Sequence, residues 1–395
     1  MNLFVKNYFL SFSPKRLENC NLYFLLNPTK KSQFTFVEFN LFHITNKKME
    51  TNIKSDELDF LSKSEIDELD FKNSFYNKVI FHSIRKSEIL KKIRFNGLEK
   101  KEEELAGLIE SLKENKSVEY LELNYYKNLI TKFMPKLVDS LNMNKTITTL
   151  ELVADNLGEE SIILLTNCLK NNNAVKDLNL SSNKMTSGAI DSLCKLLRNN
   201  KRIKRLFLSE NNLQRSDINL LCESLSDNDC LEILSLSNNS LVGSCAEKLA
   251  NLISTNNSIK KLYLSNINLN DLGLKSIADS LSNNRCIQEL SLNNNSLREE
   301  SINNLLHSAL FLNNTLQILH LLRNNLHGDM INSFISLLWE NDSIISINFD
   351  FLANENHSDL LHLLFQANIK WSLALHPSLP LGWFLLNYFC NIYRF

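Results

Sequence analysis

Apolar and polar positions alternate in short segments of this chain, and the pattern returns every 28 or 29 residues. The copy in residues 175–185 reads V-x-x-L-x-L-x-x-N-x-M, and the next two copies begin at Ile203 and Leu231. Alternation over a few residues predicts a half-buried strand. About fifteen residues after the first apolar position, the spacing becomes i, i+3, i+7, as in Ile190, Leu193 and Leu197. That spacing predicts an amphipathic helix, so each unit holds one strand and one helix.

Ten units of this kind follow one another along the chain. Their first apolar residues are Leu90, Val118, Ile147, Val175, Ile203, Leu231, Ile259, Ile287, Leu316 and Ile344. A degenerate unit starts at Ile66. This period with an L-x-x-L-x-L-x-x-N-x-L core is the sequence mark of leucine-rich repeats. Parallel strands stack about 4.8 Å apart, whereas helices need about 10 Å. We therefore predict an α/β fold, a curved leucine-rich repeat solenoid (horseshoe) with a concave parallel β-sheet, convex helices and about ten repeats.

The helical units resemble the ribonuclease-inhibitor type of leucine-rich repeat, which also occurs in Ran GTPase activators and in the recognition regions of NOD-like receptors. The resemblance covers residues 90–368 and implies protein binding through the concave face. It does not imply ribonuclease inhibition, because the chain keeps one repeat type where the mammalian inhibitor alternates two. The arginine that Ran activation needs has no counterpart that we can match residue by residue.

The ends of the chain depart from the repeat and suggest four segments. Residues 1–48 form an N-terminal segment of uncertain role, rich in Phe, and an alternative natural start is Met49. Residues 49–89 are an N-terminal cap with the degenerate repeat, in which the sequence Asp-Glu-Leu-Asp-Phe occurs twice; a docking peptide is the alternative. Residues 90–368 are the repeat array. Residues 369–395 are a hydrophobic tail or cap, which Pro380 interrupts.

We expect asparagine to occupy three kinds of structural position, in turns, at helix ends and at the ninth position of the repeat core. The chain has only 8 Gly and 5 Pro, so we expect Asn to supply left-handed turn residues. Asn pairs such as Asn256-Asn257 end the helices, where we expect a left-handed closing residue. At the ninth position of the core, Asn amides should bond to buried backbone of neighbouring loops. This structural ladder comprises Asn183, Asn211, Asn239, Asn295 and Asn324. Ile267 replaces one rung, so we expect local loosening there.

Outward-pointing strand residues form the predicted binding surface. Aromatic and arginine side chains dominate binding hot spots, and here several lie at strand positions that have no core to enter. The alternative is a scatter of single exposed apolar residues, which has no functional meaning. The residues that we predict to contact a partner are Tyr120, Tyr125, Arg205, Phe207, Glu210, Lys261, Tyr263, Ile318, His320, Leu322 and Arg323.

The sequence offers little for catalysis, export or charged ligands. The phosphate-binding, nucleophile-elbow and zinc motifs that we sought are absent, so we expect no catalytic residues, no cofactor and no metal. A net charge of -1 gives no general attraction to nucleic acid. Neither a signal peptide nor an 18-residue apolar stretch is visible. The 8 cysteines form no C-x-x-C pair, so we expect buried thiols in a reducing cytoplasm rather than disulfides or a metal site.

These observations favour a noncatalytic binding scaffold, a monomer with a protein partner of unknown identity. The bias toward Asn, Lys and Ile and the poorly matched ends resemble leucine-rich repeat effectors of intracellular bacteria such as Legionella. That resemblance implies virulence-associated secretion into a host cytosol. One alternative is an intracellular regulator of a GTPase or signalling protein in its own cell. Another is a fragment of a leucine-rich repeat ubiquitin ligase, which is disfavoured because few residues follow the array and Cys390 has no acidic neighbour.

Overall fold

Strands and helices alternate along the chain in a computed structural model, which describes residues 67–72, 78–96, 102–124, 129–239, 245–324, 326 and 330–349. The chain divides into two compact units, one that ends at Asn183 and one that begins at Lys184. In both units every strand is parallel to its neighbours, and neighbours in the sheet are neighbours in sequence. This arrangement confirms the predicted α/β leucine-rich repeat fold.

The first unit contains five of the described strands. They are β1 (Glu68–Lys72), β2 (Lys92–Asn96), β3 (Tyr120–Asn124), β4 (Thr149–Glu151) and β5 (Asp177–Asn179). The helices between and after them are α1 (Lys78–Lys86), α2 (Glu102–Glu114), α3 (Leu129–Met143) and α4 (Glu159–Asn171). β1 lies in the degenerate unit that begins at Ile66, and it pairs with β2 over its full length.

The second unit contains six described strands. They are β6 (Arg205–Phe207), β7 (Ile233–Ser235), β8 (Lys261–Tyr263), β9 (Glu289–Ser291), β10 (Ile318–His320) and β11 (Ser346–Asn348). The α-helices are α5 (Ser187–Leu197), α6 (Arg215–Ser226), α7 (Ala246–Thr255), α8 (Asn270–Asn283), α9 (Glu299–Asn304) and α10 (Met330–Glu340). With β1 included, the described residues hold eleven strands, where the sequence predicts about ten repeats.

Leucine side chains of strand and helix form the core of each unit. The central residue of each three-residue strand is buried, as in Leu206, Leu234 and Leu262, which lie side by side in register. The apolar stripe of each helix meets them, as with Leu193 and Leu197 of α5. Burial of such side chains contributes about 1.5–3 kcal/mol each, and a single repeat cannot achieve it alone.

One repeat absorbs an additional residue in its helix. The step from Ile287 to Leu316 is 29 residues, and α9 runs directly into a π-helix at Leu305–Leu310. At its end, Phe311 N donates to Leu306 O, five residues back, over 3.2 Å. A π-turn accommodates one more residue than an α-turn, so the strands on either side keep their register.

The Asn residues that end the helices differ from the expectation. Asn172, Asn256 and Asn284 have extended backbone rather than left-handed backbone, with φ values of -79°, -81° and -69°. The prediction of a left-handed closure is therefore wrong, because these side chains are buried and bond to the preceding repeat. Asn256 Nδ2 donates to Leu225 O and Asn228 O, both at 2.8 Å. Its Oδ1 accepts from the backbone N–H groups of the next strand's entry, at residues 258 and 259.

Left-handed residues instead occupy the turns that follow strands β4 to β10. Positive φ occurs at Asn238, Asn266 and Asn294, one repeat apart, and at Ser182 in the first unit. Asn tolerates this backbone region better than most residues do. The expectation that Asn replaces Gly in turns therefore holds for the strand exits and not for the helix ends.

Candidate functional site

The strand face of the second unit consists of the side chains that point away from the helices. Because the middle residue of each strand is buried, the first and third residues point the opposite way. In β6 these are Arg205, which is exposed, and Phe207, which is half-buried. In β8 they are Lys261 and Tyr263, both half-buried. Four predicted contact residues therefore lie on one face, on two strands that flank β7.

Three predicted contact residues converge on a carboxylate that the sequence analysis does not single out. Glu289 of β9 accepts hydrogen bonds from Lys261 Nζ (2.6 Å) and Tyr263 Oη (3.0 Å), and His320 Nε2 lies 3.4 Å from it. Burial opposes ionisation of Glu289, but the hydrogen bonds from Lys261, Tyr263 and His320 together hold its pKa below the ordinary value. Burial, and then the bond to Glu289, raise the pKa of Tyr263 to about 12. Tyr263 is therefore a neutral phenol with a fixed orientation.

The register of the repeats could have identified Glu289 as a neighbour of Lys261 from the sequence. Lys261 and Glu289 occupy the same position of adjacent repeats and pair directly across β8 and β9. Opposite charges at such positions attract each other, because neighbouring strands lie about 4.8 Å apart. The predicted contact residues do not include Glu289, although it binds two of them, Lys261 and Tyr263.

The C-terminal part of the face is built around His320 of β10. Asn348 Nδ2 lies 2.8 Å from His320 Nδ1, so Nδ1 accepts and Nε2–H faces Glu289. Ile318 is half-buried on the same strand, and Leu322, just after it, is 39% exposed. These residues extend the face beyond Glu289 with one aromatic ring and two aliphatic side chains.

Glu210 and Arg323 occupy one repeated position at the strand exit, and both have left-handed backbone. In the intervening repeats this position holds Asn238, Asn266 and Asn294. Their exposed amides join in a row, in which Asn266 donates to Asn238 and Asn294 to Asn266, each over 2.9 Å. Asn238 in turn donates to Glu210 Oε1 over 3.2 Å. Glu210 therefore accepts at the end of a fixed amide row that borders the face.

In the first unit, Tyr120 lies in a network of charged groups. Its hydroxyl donates to Glu122 Oε2 (3.0 Å), which also pairs with Arg94 Nε (3.1 Å), and Lys92 Nζ lies 4.4 Å from the ring centroid. Burial, with the nearby carboxylates of Glu151 and Glu122, raises the pKa of Tyr120. Burial also raises the pKa of Glu151. The other tyrosine predicted here, Tyr125, lies outside the described residues.

The ninth-position asparagines are all buried. Asn239 Nδ2 donates to Leu208 O (2.9 Å) in the preceding repeat, and its Oδ1 accepts from the backbone N–H groups of Asn211 and Leu213 (2.9 and 3.1 Å). The same pattern recurs at Asn183, Asn295 and Asn324. Each amide thus fixes the strand exit of the repeat before it, and with it the turn that carries Glu210 and its equivalents.

Among the described ladder positions of the second unit, Ile267 stands where the others have asparagine. Its side chain is fully buried, and its backbone N–H donates to Asn295 Oδ1 over 3.0 Å. An isoleucine offers no amide to Leu236 O or to Asn239 N, which an asparagine at this position would reach. The local loosening that the sequence predicts stays a prediction.

The remaining sequence-based expectations concern metal binding, membrane crossing and the cysteine thiols. Among the described residues, no group of three His, Cys, Asp or Glu side chains is placed to hold a metal ion. Over the same residues, no helix has both the length and the apolar character that a bilayer crossing requires. Cys194 and Cys222 are buried, and burial raises the pKa of their thiols to about 11 and about 12. Thiols of this kind react slowly at neutral pH.

The fold has counterparts among solved structures. No protein-family profile and no curated protein matches the chain. Among solved structures, the leucine-rich repeat-containing protein LegL7 from Legionella pneumophila is similar over 79% of this chain and 100% of its own, with a TM-score of 0.52 and 18% identity. The yeast Rad7 and Elc1 complex is similar over 71% of this chain and 68% of that chain, with a TM-score of 0.51 and 17% identity. At these identities the likeness concerns the fold.

Proposed function

We propose that the chain is a noncatalytic scaffold that binds a protein partner on the strand face of its second unit. The observation that supports this most is the convergence of Lys261, Tyr263 and His320 on Glu289. Side chains that are already fixed lose little conformational entropy when a partner binds. Tyrosine and arginine are also the residue types that most often carry interface energy.

The dimensions of the face favour a macromolecular partner. Six adjacent strands at about 4.8 Å spacing span about 24 Å. A standard protein interface covers about 800 Å² on each partner, so a partner bound here would also contact the turns that follow the strands. Its mixture of aromatic, aliphatic and charged side chains is also typical of a non-obligate interface.

Affinity capture with a matched pair of double variants tests the proposal. Phe207→Ala with Tyr263→Ala removes the outward aromatic side chains of β6 and β8. The control, Leu272→Ala with Phe311→Ala, removes two exposed apolar side chains that belong to the helical segments and are 79% and 47% exposed. We expect the first variant to lose proteins that the wild type retains and the control to keep them, with equal thermal stability. Equal yields from both variants would show that the strand face is not the binding surface.

We also propose that the partner belongs to a host cell and that the chain acts there as a bacterial effector. Support comes from the Asn-, Lys- and Ile-rich composition and from the single repeat type, since the structural likeness to LegL7 concerns the fold. A translocation reporter fused to the chain tests this proposal. If no reporter activity reaches the host cytosol, the effector role is wrong, and regulation of a signalling protein within its own cell takes its place.

A further inference from the structure

The imidazole ring of His320 lies between a carboxylate and an amide on the strand face of the second unit. Its Nε2 lies 3.4 Å from Glu289 Oε1, on β9. Its Nδ1 lies 2.8 Å from Asn348 Nδ2, on β11. The side chain of His320 is 23% exposed, so protons from solvent can reach the ring. Both ring nitrogens are therefore engaged with partners while the ring remains accessible.

The neutral ring has one arrangement that satisfies both neighbours. A neutral imidazole carries hydrogen on one nitrogen and accepts at the other. Asn348 Nδ2 can only donate, so Nδ1 of His320 accepts from it and the ring hydrogen lies on Nε2, towards Glu289. Asn348 Oδ1, at the other end of the amide, accepts a 3.1 Å hydrogen bond from Ser346 Oγ. In the neutral state the Ser346 hydroxyl is thus held as a donor to Asn348.

The protonated ring has an equally complete arrangement after one rotation. A second proton makes both nitrogens of His320 donors, so Nδ1–H can no longer face the Nδ2 donor of Asn348. A half-turn of the Asn348 amide presents Oδ1 to the ring and leaves the shape of the side chain almost unchanged. Ser346 Oγ then accepts from Nδ2, because a hydroxyl can donate or accept. The ring nitrogens and both ends of the amide therefore have partners in either state.

Glu289 keeps a negative charge beside the ring. Burial opposes its ionisation, but the hydrogen bonds from Lys261, Tyr263 and His320 hold its pKa below the ordinary value. Burial, and then the bond to Glu289, raise the pKa of Tyr263 to about 12, so this side chain stays a neutral phenol. Neither group changes charge between pH 5 and pH 8, the range in which a histidine side chain typically does. The protonated ring would therefore lie beside an anion.

Two cations also belong to the surroundings of the ring among the described residues. On β8, Lys261 Nζ donates to Glu289 Oε2 over 2.6 Å, whereas the ring faces Oε1. On the ring's own segment, Arg323 follows β10. The outward positions of β11 hold uncharged side chains. The cations oppose proton uptake by His320, and Glu289, which is in direct contact with the ring, favours it.

We propose that His320 and Asn348 form a pH-responsive switch, in which proton uptake by the ring turns the Asn348 amide and alters this part of the strand face. The protonated state adds one positive charge beside Glu289. It also releases the hydroxyl hydrogen of Ser346, which Asn348 holds in the neutral state. Acid therefore changes both the charge and the hydrogen-bond donors that a partner meets here. The switch itself is independent of the proposed function, whereas its use in binding rests on that function.

His307 provides an internal comparison. Its Nδ1 lies 2.9 Å from the backbone oxygen of Asn303, four residues earlier in the helical segment. A backbone carbonyl only accepts and cannot turn, so the neutral ring of His307 carries its hydrogen on Nδ1. A second proton adds a hydrogen at Nε2 without any change at Nδ1. The two histidines should therefore be opposite neutral tautomers, and His320 is the one coupled to a side-chain amide.

NMR of the protein tests the proposal, with ¹⁵N label in the histidine rings and in the asparagine side chains, between pH 8 and pH 5. His320→Gln and His307→Gln assign the two ring signals, and Asn348→Asp identifies the amide of Asn348 by its loss. The amide of Asn266 is the control, because its hydrogen bonds run to Asn238 and Asn294. Circular dichroism melting at both pH values confirms that each variant is folded.

At pH 8 we expect the ring hydrogen on Nε2 of His320 and on Nδ1 of His307. As His320 takes up its second proton, the amide signals of Asn348 should shift and those of Asn266 should stay in place. His320→Gln should abolish the shift of Asn348, and His307→Gln should leave it unchanged.

Four results would overturn the switch. They are a hydrogen on Nδ1 of His320 at pH 8, no second proton on this ring by pH 5, proton uptake without a shift of the Asn348 amide, and a shift that persists in His320→Gln. The capture experiment separates the switch from the proposed function. If capture depends on Phe207 and Tyr263 while the Asn348 amide does not turn, the face binds a partner and the switch is wrong. If the amide turns while the aromatic double variant captures the same proteins as wild type, the switch stands and the proposed function is wrong.

Discussion

The phenol of Tyr263 donates a 3.0 Å hydrogen bond to Glu289, which lies on the neighbouring strand and is only 12% exposed at its side chain. A hydrogen bond to a charged, largely buried acceptor is stronger than one between neutral groups. Glu289 also binds Lys261 and lies close to His320, so it holds aromatic and cationic side chains in fixed positions.

A double-mutant cycle should detect this coupling. We expect Tyr263→Phe and Glu289→Gln each to lower the free energy of unfolding, and the pair together to cost about 1 kcal/mol less than the sum of the two. Urea unfolding of the four proteins measures the coupling. Tyr120→Phe with Glu289→Gln is the control, since Tyr120 lies in the other unit, and its effects should be additive. Additive effects for Tyr263 and Glu289 would mean that the hydrogen bond contributes nothing.

The ladder position at Ile267 allows an unusual substitution. Burial of an amide in an apolar core normally costs several kcal/mol. At this position, however, Asn would reach Leu236 O and Asn239 N in the geometry that Asn239 uses with the repeat before it. We therefore expect Ile267→Asn to change the free energy of unfolding by less than about 1 kcal/mol.

The matched control for this substitution is Ile259→Asn. Ile259 is 3% exposed and belongs to the apolar core at a strand entry. We expect this change to cost more than about 3 kcal/mol, because its amide would be buried without the ladder's partners. Urea unfolding compares the two variants. Hydrogen exchange at Asn239 N tests the loosening directly, because the restored rung should slow it. Equal destabilisation by both variants would contradict the ladder geometry.

The helix-end asparagines should be as important as the ladder. The side chain of Asn256 makes five hydrogen bonds, two as donor to carbonyls of the preceding repeat and three as acceptor. We expect Asn256→Ala to cost about 3 kcal/mol, since it leaves buried backbone groups without partners. Asn256→Asp keeps the acceptor but loses both donors, and we expect a similar loss.

The adjacent Asn257 provides the control for these helix-end variants. It is exposed and makes one long bond of 3.4 Å to Thr255 O. We expect Asn257→Ala to cost less than about 0.5 kcal/mol. Thermal and urea unfolding measure all three variants. If the Asn256 and Asn257 variants unfold at the same temperature and urea concentration, the buried hydrogen bonds of Asn256 do not stabilise the packing of adjacent repeats.

The spacing of apolar residues predicts the secondary structure of this chain, because side chains on one face recur every two residues in a strand and about every 3.6 residues in a helix. The leucine positions around Leu206 and Leu234 therefore locate strands and core together. Asn256 is a residue whose conformation the sequence pattern does not predict. An asparagine at a helix end can form either a left-handed turn or a buried hydrogen-bonded amide. Here the carbonyls of the preceding repeat favour the buried amide. The repeat register could place Glu289 beside Lys261, but the contacts with Tyr263 and His320 depend on how far these side chains reach across strands.

At low pH, the destabilising effect that the Glu151 charge has on the folded first unit should disappear. Burial is the largest cause of the raised pKa of Glu151, so its ionised form is less stable in the folded chain than in the unfolded chain. The folded state is favoured below the unfolded pKa, and this advantage is lost as the pH rises through the folded pKa. Glu151→Gln should therefore raise the free energy of unfolding at pH 7 and give no gain at pH 3.5. Glu122→Gln, which breaks the 3.1 Å pair with Arg94, should instead lower it at pH 7. Urea unfolding at both pH values measures each variant, and a stabilisation by Glu151→Gln that persists unchanged at pH 3.5 would show that its charge is not the cause.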